Sequence, residues 1–304
     1  MKYALIDMGS NSIRLTVYDI GSSGFKILFK EKIMAGLAGY VEQGRLNQDG
    51  IDCACSSLRE FQNTLKLLEI SDLAVFATAS LRNITNTQEA TEQIYRATGI
   101  QVKVLSGEEE AKYGFYGAAF DVEENDGLFA DIGGASAELA FYSDRKLRYG
   151  ISIPVGSLKL YRDCVKNILP GKESLKRIDA AIQKAFENDM LELIPERKNL
   201  VCVGGTARAC LKFCRKLFGI PEDSRFFTRE QLDSLAERLC RNDRETSDLI
   251  LRYEPERIHT MVPGLLILKY LVNRFGVETI TISSYGVREG YLSKIIQPTL
   301  SDIG

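Results

Sequence analysis

Two stretches of this chain share one pattern of chemistry-bearing residues. Asp7-Met8-Gly9-Ser10-Asn11-Ser12-Ile13-Arg14-Leu15 and Asp131-Ile132-Gly133-Gly134-Ala135-Ser136-Ala137-Glu138-Leu139 both fit D-x-G-x-x-S-x-(R/E)-L, with the aspartates 124 residues apart. Glycine lets a backbone approach an anion closely and aim N–H groups at it. Ser10, Asn11, Ser12 and Ser136 add donors. Asp7 and Asp131 repel a phosphate directly, so carboxylates belong here if Mg²⁺ or a water bridges them to it; Glu138 can join them. One such hairpin is ordinary Asp/Ser/Gly turn chemistry. Two matched copies in matched contexts point to phosphate, held by facing loops of two related domains.

Three further groups could complete such a site. Gly204-Gly205-Thr206-Ala207 lies between a strand and a helix, where helix N–H groups favour anions, although glycine there is also common turn chemistry. In Ser106-Gly107-Glu108-Glu109-Glu110-Ala111 the capping-box pattern assigns Ser106 and Glu109 to the helix end. Glu110 is left over, on a stripe with Gly114 and Gly117 that allows close approach, as an exposed carboxylate able to orient and deprotonate a water. Arg14 and Arg82 can grip phosphate bidentately, or be plain surface residues.

The elements that must position these residues repeat. Strands are expected at 3–7, 13–20 and 25–33 with a turn at 21–24, a helix at 51–69, a strand at 73–77, a helix at 87–98 closed by Gly99, a strand at 102–105 and a helix from Gly107. The second half reopens with strands at 127–131, 137–142 and 146–153, then a helix at 172–190, a strand at 201–203 and a helix. Thr228-x-x-Gln231 is a capping box for a helix to Cys240; a helix at 261–274, a strand at 279–282 and a last helix from Val287 follow. A duplicated βββαβαβα unit is the plan of the actin-like, ribonuclease H-like phosphotransferase superfamily. The expected fold class is therefore α/β, two ribonuclease H-like domains with a cleft between them. The boundary is expected in the polar stretch 121–127, giving domains 1–124 and 125–304, with the C-terminal helix (about 288–304) packing back on the first.

Composition fits a protein of this kind. A length of 304 residues suits two domains, and 45% apolar with 26% charged residues is ordinary for a globular chain. A net charge of −2 gives no global attraction to DNA or to an anionic membrane. Met1-Lys2-Tyr3-Ala4 reads as a strand rather than a leader, and no apolar run reaches the roughly 18 residues of a membrane span. Seven scattered cysteines without C-x-x-C pairs read as reduced thiols in a cytoplasmic protein, and the single His259 disfavours a histidine-based triad.

Together these residues resemble the Ppx/GppA family of exopolyphosphatases and guanosine pentaphosphate phosphatases. The similarity takes in both Asp-Gly-Ser phrases, Thr78-Ala79-Ser80-Leu81-Arg82 with Asn86, the Ser106–Ala111 run, Gly204-Gly205-Thr206, Pro263-Gly264 and Gly286-Val287-Arg288-Glu289-Gly290. The resemblance implies that Glu110 positions the water attacking a terminal phosphate. It further implies that Mg²⁺, or another divalent cation, sits near Asp7, Asp131 and Glu138, and that the loops with Arg14 and Arg82 bind the end of a polyphosphate or guanosine pentaphosphate (pppGpp) substrate. Family members are often dimers, so a homodimer is expected by analogy. Two departures stand out. Ala135 replaces the usual third glycine of the second loop, where φ is expected to be positive. The chain also ends at Gly304, without the further helical domains of long members, which gives short polyphosphates or nucleotides more weight. The alternatives are a pppGpp 5′-phosphohydrolase, a superfamily small-molecule kinase, and a non-catalytic nucleotide sensor.

Overall fold

The computed structural model describes residues 1–21, 24–187, 191 and 194–296. The chain divides into two compact units, Met1–Gly107, with Ile295 and Ile296, and Glu108–Lys294.

In the first unit the period-2 pattern sends Ala4, Ile6 and Met8 of β1 (Lys2–Met8) and Ile13, Leu15 and Val17 of β2 (Ile13–Gly21) into one core. β2 runs antiparallel between β1 and β3 (Gly24–Ile33). A two-stranded hairpin, β4 (Val41–Glu42) with β5 (Arg45–Leu46), precedes α1 (Gln48–Leu67). This helix starts three residues earlier than its apolar periodicity indicates, because the Asn47 side chain accepts the Gly50 N–H at 3.0 Å and caps it. It buries Leu58, Phe61 and Leu65 in the same core as α3 (Thr87–Thr98), which ends at left-handed Gly99. β6 (Leu73–Ala77) and β7 (Val102–Val104) run parallel to β1, with the short α2 (Ala79–Arg82) between β6 and α3. The strand order is β3-β2-β1-β6-β7.

The second unit repeats that order as β10-β9-β8-β11-β13, with one added antiparallel edge strand, β12. Its strands are β8 (Gly127–Ile132), β9 (Ala137–Ser143), β10 (Lys146–Ile153), β11 (Asn199–Val203), β12 (Phe226–Thr228) and β13 (Thr279–Ile282). Around them lie α5 (Ser157–Cys164), α6 (Lys172–Ala185), α7 (Gly204–Phe218), α8 (Arg229–Leu239), α9 (Arg244–Tyr253) and α10 (Met261–Arg274). α8 opens with the anticipated capping box of Thr228 and Gln231. One face of the sheet, with Leu128, Ala130, Leu139 and Cys202, packs on α6, α7, α8 and α10.

The other face carries α4 (Gly107–Ala118). Phe115, Ala118 and Val122 form a core with Phe129, Ala140, Tyr142, Val201 and Val203, and the Phe115 and Tyr142 rings lie 4.9 Å apart. This packing sends α4 with the second unit, so the units part at Gly107 rather than in the polar stretch 121–127. Asp121 in that stretch is itself tied down within the second unit: Arg225 pairs with it at 2.6 Å and the Ser283 hydroxyl donates to it at 2.6 Å.

The small-residue stripe on α4 is filled by protein. A Cβ on Gly114 would meet the Phe129 ring at 2.6 Å, and one on Gly117 would overlap the Gly286 carbonyl. From the facing side, a Cβ on Gly290 of α11 (Val287–Ile296) would overlap the Tyr113 carbonyl. The glycines of both motifs thus serve one close helix crossing. The helix expected at 172–190 ends at Ala185, capped by Phe186; 188–190, part of the predicted turn at 21–24 and the end of the 288–304 helix lie outside the described residues.

Candidate active site

Each Asp-Gly-Ser phrase folds as a strand, a four-residue loop and an antiparallel strand. Met8 pairs with Ile13 and Ile132 with Ala137, so the loops are 9–12 and 133–136. Each closes through the same bond, the first glycine N–H to the serine carbonyl: Gly9 to Ser12 at 3.1 Å and Gly133 to Ser136 at 2.9 Å. Glycine suits that position, because a Cβ would crowd the accepting carbonyl at 3.0 Å and 3.1 Å respectively.

The two loops also turn their carbonyls the same way, into their own unit. In the first, Ala38 N–H donates to Ser10 O at 2.9 Å and Gly36 N–H to Asn11 O at 3.0 Å. In the second, the first turn of α5 does this: Ser157 N–H to Gly133 O at 3.0 Å, and Leu158 and Lys159 N–H to Gly134 O, each at 2.9 Å. All peptides here are trans, so each N–H points opposite to its bound carbonyl. The N–H groups of Asn11 and Ser12, and of Gly134 and Ala135, are therefore turned to the other side, an arrangement that suits an anion. Ala135 does not have a positive φ. Its Cβ costs no left-handed strain, and the expected need for glycine there does not arise.

Asp7 stands directly opposite Arg14 across β1 and β2. The Arg14 Nε donates to the Ser12 hydroxyl at 3.1 Å, which draws that side chain toward the loop. Ser80 of α2 donates its hydroxyl to the Met8 carbonyl at the loop entrance, and Arg82 at the end of the same helix donates Nη1 to Leu105 O at 3.3 Å.

In the second unit, register places the corresponding groups in one row. Asp131 is opposite Glu138, and Glu138 is opposite Ser152. Directly opposed residues share a face, with Cβ atoms about 5 Å apart. By the two-residue alternation of a strand, this is the face of Phe129, Ala140 and Gly150, on which α4 lies. A Cβ on Gly150 would lie 3.3 Å from that of Ala111, so the start of α4 crosses the sheet one row away from Asp131, Glu138 and Ser152. Glu110, immediately before Ala111, is buried at 7% exposure, not exposed as its sequence position suggests, and Glu138 is buried at 2%.

Gly204 and Gly205 close this end of the unit. Gly204 has φ +85°, and a Cβ on it would run into the Asp131 carboxylate. A Cβ on Gly205 would occupy the space of the Arg257 guanidinium. Arg257 thus lies over the N-terminus of α7, steered there by Glu254 at 3.5 Å. Sequence reasoning missed it: one arginine in a Pro-Glu-Arg turn carries no periodicity. Thr206 is packed against Gly264, where a Cβ would sit 2.7 Å from the Thr206 hydroxyl, so the Pro263-Gly264 pair seats α10 against the glycine turn.

The donor set suits a hard cation. Asp131 and Glu138 are facing carboxylates without sulfur or imidazole in their row, and two like charges side by side are unfavourable unless a cation or donors compensate them. Among the described residues no three His, Cys, Asp or Glu side chains form a ready-made cage. A Mg²⁺ here would take one or two carboxylates and complete its shell with substrate oxygens and water. Among the described residues no helix is long and apolar enough to cross a membrane.

Comparison with known proteins agrees with this layout. A guanosine-5′-triphosphate,3′-diphosphate pyrophosphatase of Aeromonas hydrophila is 26% identical over 95% of this chain, and the match covers 58% of that longer protein. An exopolyphosphatase structure from Cytophaga hutchinsonii superposes with a TM-score of 0.87 at 20% identity, over 98% of each chain. The Aquifex aeolicus Ppx/GppA family member superposes at 0.80 and 24% identity, over 100% of this chain and 99% of that one. The fold is that of the actin-like ATPase superfamily. The profile of the Ppx/GppA phosphatase family matches residues 16–298, and the chain belongs to that family.

Proposed function

We propose that this chain is an exopolyphosphatase, hydrolysing the terminal phosphoanhydride of inorganic polyphosphate and releasing orthophosphate. The observation that carries the reading is that a loop in each unit has two successive carbonyls bound inward and their amides facing the other way, one position earlier in the second loop than in the first. A chain of phosphates is the ligand that such amide cradles serve best. Arg14, Arg82 and Arg257 supply charge for the phosphoryl oxygens. Thr206 and the N–H groups of Gly204 and Gly205 begin α7, where the helix favours an anion.

Glu110 is the general base in this reading. It is buried on a clamped helix, and its neighbour Ala111 packs on Gly150, one row from Glu138 and Ser152. It accepts a proton from the water that attacks phosphorus, while the loop amides hold the phosphoryl group in line. Asp131 and Glu138 would hold Mg²⁺, which would supply charge neutralisation at the phosphate oxygens when bound; Asp7 is proposed as a cation ligand at the loop of the first unit.

A second reading, removal of the 5′-terminal phosphate of pppGpp, is favoured by the Aeromonas hydrophila relative, which is named for action on that nucleotide. Both substrates end in the same bond and use the same residues. Phosphate release from short polyphosphate, long polyphosphate and pppGpp, without an added acceptor, separates the two. Strict dependence on an acceptor would point to a kinase instead. Glu110→Gln should lower turnover by roughly 10²–10⁴-fold, the usual contribution of a general base, with the circular dichroism spectrum of the unmodified protein retained. Turnover like that of the unmodified protein in this variant would refute the role of Glu110.

A further inference from the structure

The row Asp131, Glu138, Ser152 contains one residue that the proposed chemistry leaves without a task. Ser152 lies on β10, directly opposite Glu138, and donates its hydroxyl to Glu138 Oε1 at 2.6 Å. Glu138 is buried at 2% exposure and stands directly opposite a second carboxylate, Asp131. A buried carboxylate in that position needs donors to stay ionised and needs its rotamer fixed to serve as a ligand.

We infer that Ser152 is a positioning residue that sets Glu138 for a divalent cation. This rests on the reading of Glu138 as a cation ligand. A hydrogen bond from a neutral hydroxyl to a carboxylate is charge-assisted and short. Here it ties one carboxylate oxygen toward β10. The strand geometry makes the arrangement stiff. Ser152 and Glu138 are neighbours on a sheet, held by the backbone ladder rather than by a loop. A serine is short enough to reach a cross-strand partner without leaving its own strand. An alanine would leave Glu138 one donor fewer in a buried place, and a threonine keeps the hydroxyl.

The test measures Mn²⁺ binding to the whole protein by electron paramagnetic resonance, with and without inorganic phosphate, alongside the Mg²⁺ concentration that gives half-maximal phosphate release. Loss of a hydrogen-bond partner behind a metal ligand typically weakens binding roughly 10–100-fold. Ser152→Ala should therefore lose Mn²⁺ affinity on that scale and need correspondingly more Mg²⁺, with kcat recovering at saturating metal. Ser152→Thr should restore both, and both variants should keep the wild-type circular dichroism spectrum. A merely structural serine would lower stability without moving the metal titration. Unchanged Mn²⁺ affinity in Ser152→Ala, failure of threonine to restore it, or absence of Mn²⁺ binding to the unmodified protein overturns the inference. If instead Mn²⁺ binding follows Ser152 as described while Glu110→Gln keeps full turnover, the catalytic reading fails and the role of Ser152 stands.

Discussion

Helix α7 carries a glycine with positive φ at each end, and the two offer a matched experiment. Gly204 opens the helix at φ +85° and Gly219 closes it at φ +67°. Alanine at either must adopt a left-handed backbone, which costs about 1–2 kcal/mol. For a unit of this size that is a fall in melting temperature of roughly 2–4 °C per kcal/mol. The two differ in what the new methyl meets. At Gly219 nothing lies within 4 Å. At Gly204 the methyl would run into the Asp131 carboxylate, which must swing aside. A displacement near 1 Å at a positioned catalytic group can cost about 10²-fold in rate, equivalent to roughly 2.7 kcal/mol of transition-state stabilisation. Thermal unfolding and initial rates of phosphate release on both variants read the two effects separately. Gly219→Ala should lose stability and keep its rate; Gly204→Ala should lose similar stability and about 10²-fold in rate. Equal rate losses in both, or full activity in Gly204→Ala, would refute the placement of Asp131 in the site.

Two further predictions concern buried groups of the second unit. The Tyr142 hydroxyl is buried and has no hydrogen-bond partner among the described residues, and burial with nearby Glu124 and Asp126 pushes its ionisation well above the usual range. An unpaired buried hydroxyl is a cost, so Tyr142→Phe should leave the melting temperature unchanged or higher; a loss of more than about 1 kcal/mol would show an unseen partner. Burial also pushes the Cys214 thiol up to about 12 from its ordinary 9.0. Unfolding exposes a thiol that ionises near 9, so the unfolded state binds fewer protons between pH 9 and 12, and stability falls as pH rises through that window. In Cys214→Ser, chemical denaturation across pH 8–11 should show a shallower decline, and an identical slope would rule the thiol out as its source.

Much of this protein is written locally. The strand and helix periodicities place most of the longer elements, though not α5, α9 or the edge strand β12, because alternation of apolar residues at two or near 3.6 is a property of adjacent residues alone. The matched phrases at Asp7 and Asp131 mark both loops, since the loop-closing bond between the first glycine and the serine lies within four residues. The twofold plan is legible for the same reason.

What local pattern does not contain is which surfaces meet. The sequence marks Gly114 and Gly117 as a place of close approach; only the fold says that Phe129 and Gly286 fill it. It leaves α4 before a polar stretch, and the burial of Phe115 and Ala118 on the second sheet decides where the helix goes. It shows Glu110 in an acidic first turn, and the tertiary structure buries it. Arg257 reaches Gly205 from 52 residues away, and Ser152 reaches Glu138 through strand register. Composition and spacing determine the elements and the loop chemistry by themselves, because those depend on near neighbours. The assembly of an acidic row, a clamped glutamate and an arginine over a helix end depends on long-range packing and register, which no stretch of sequence specifies alone.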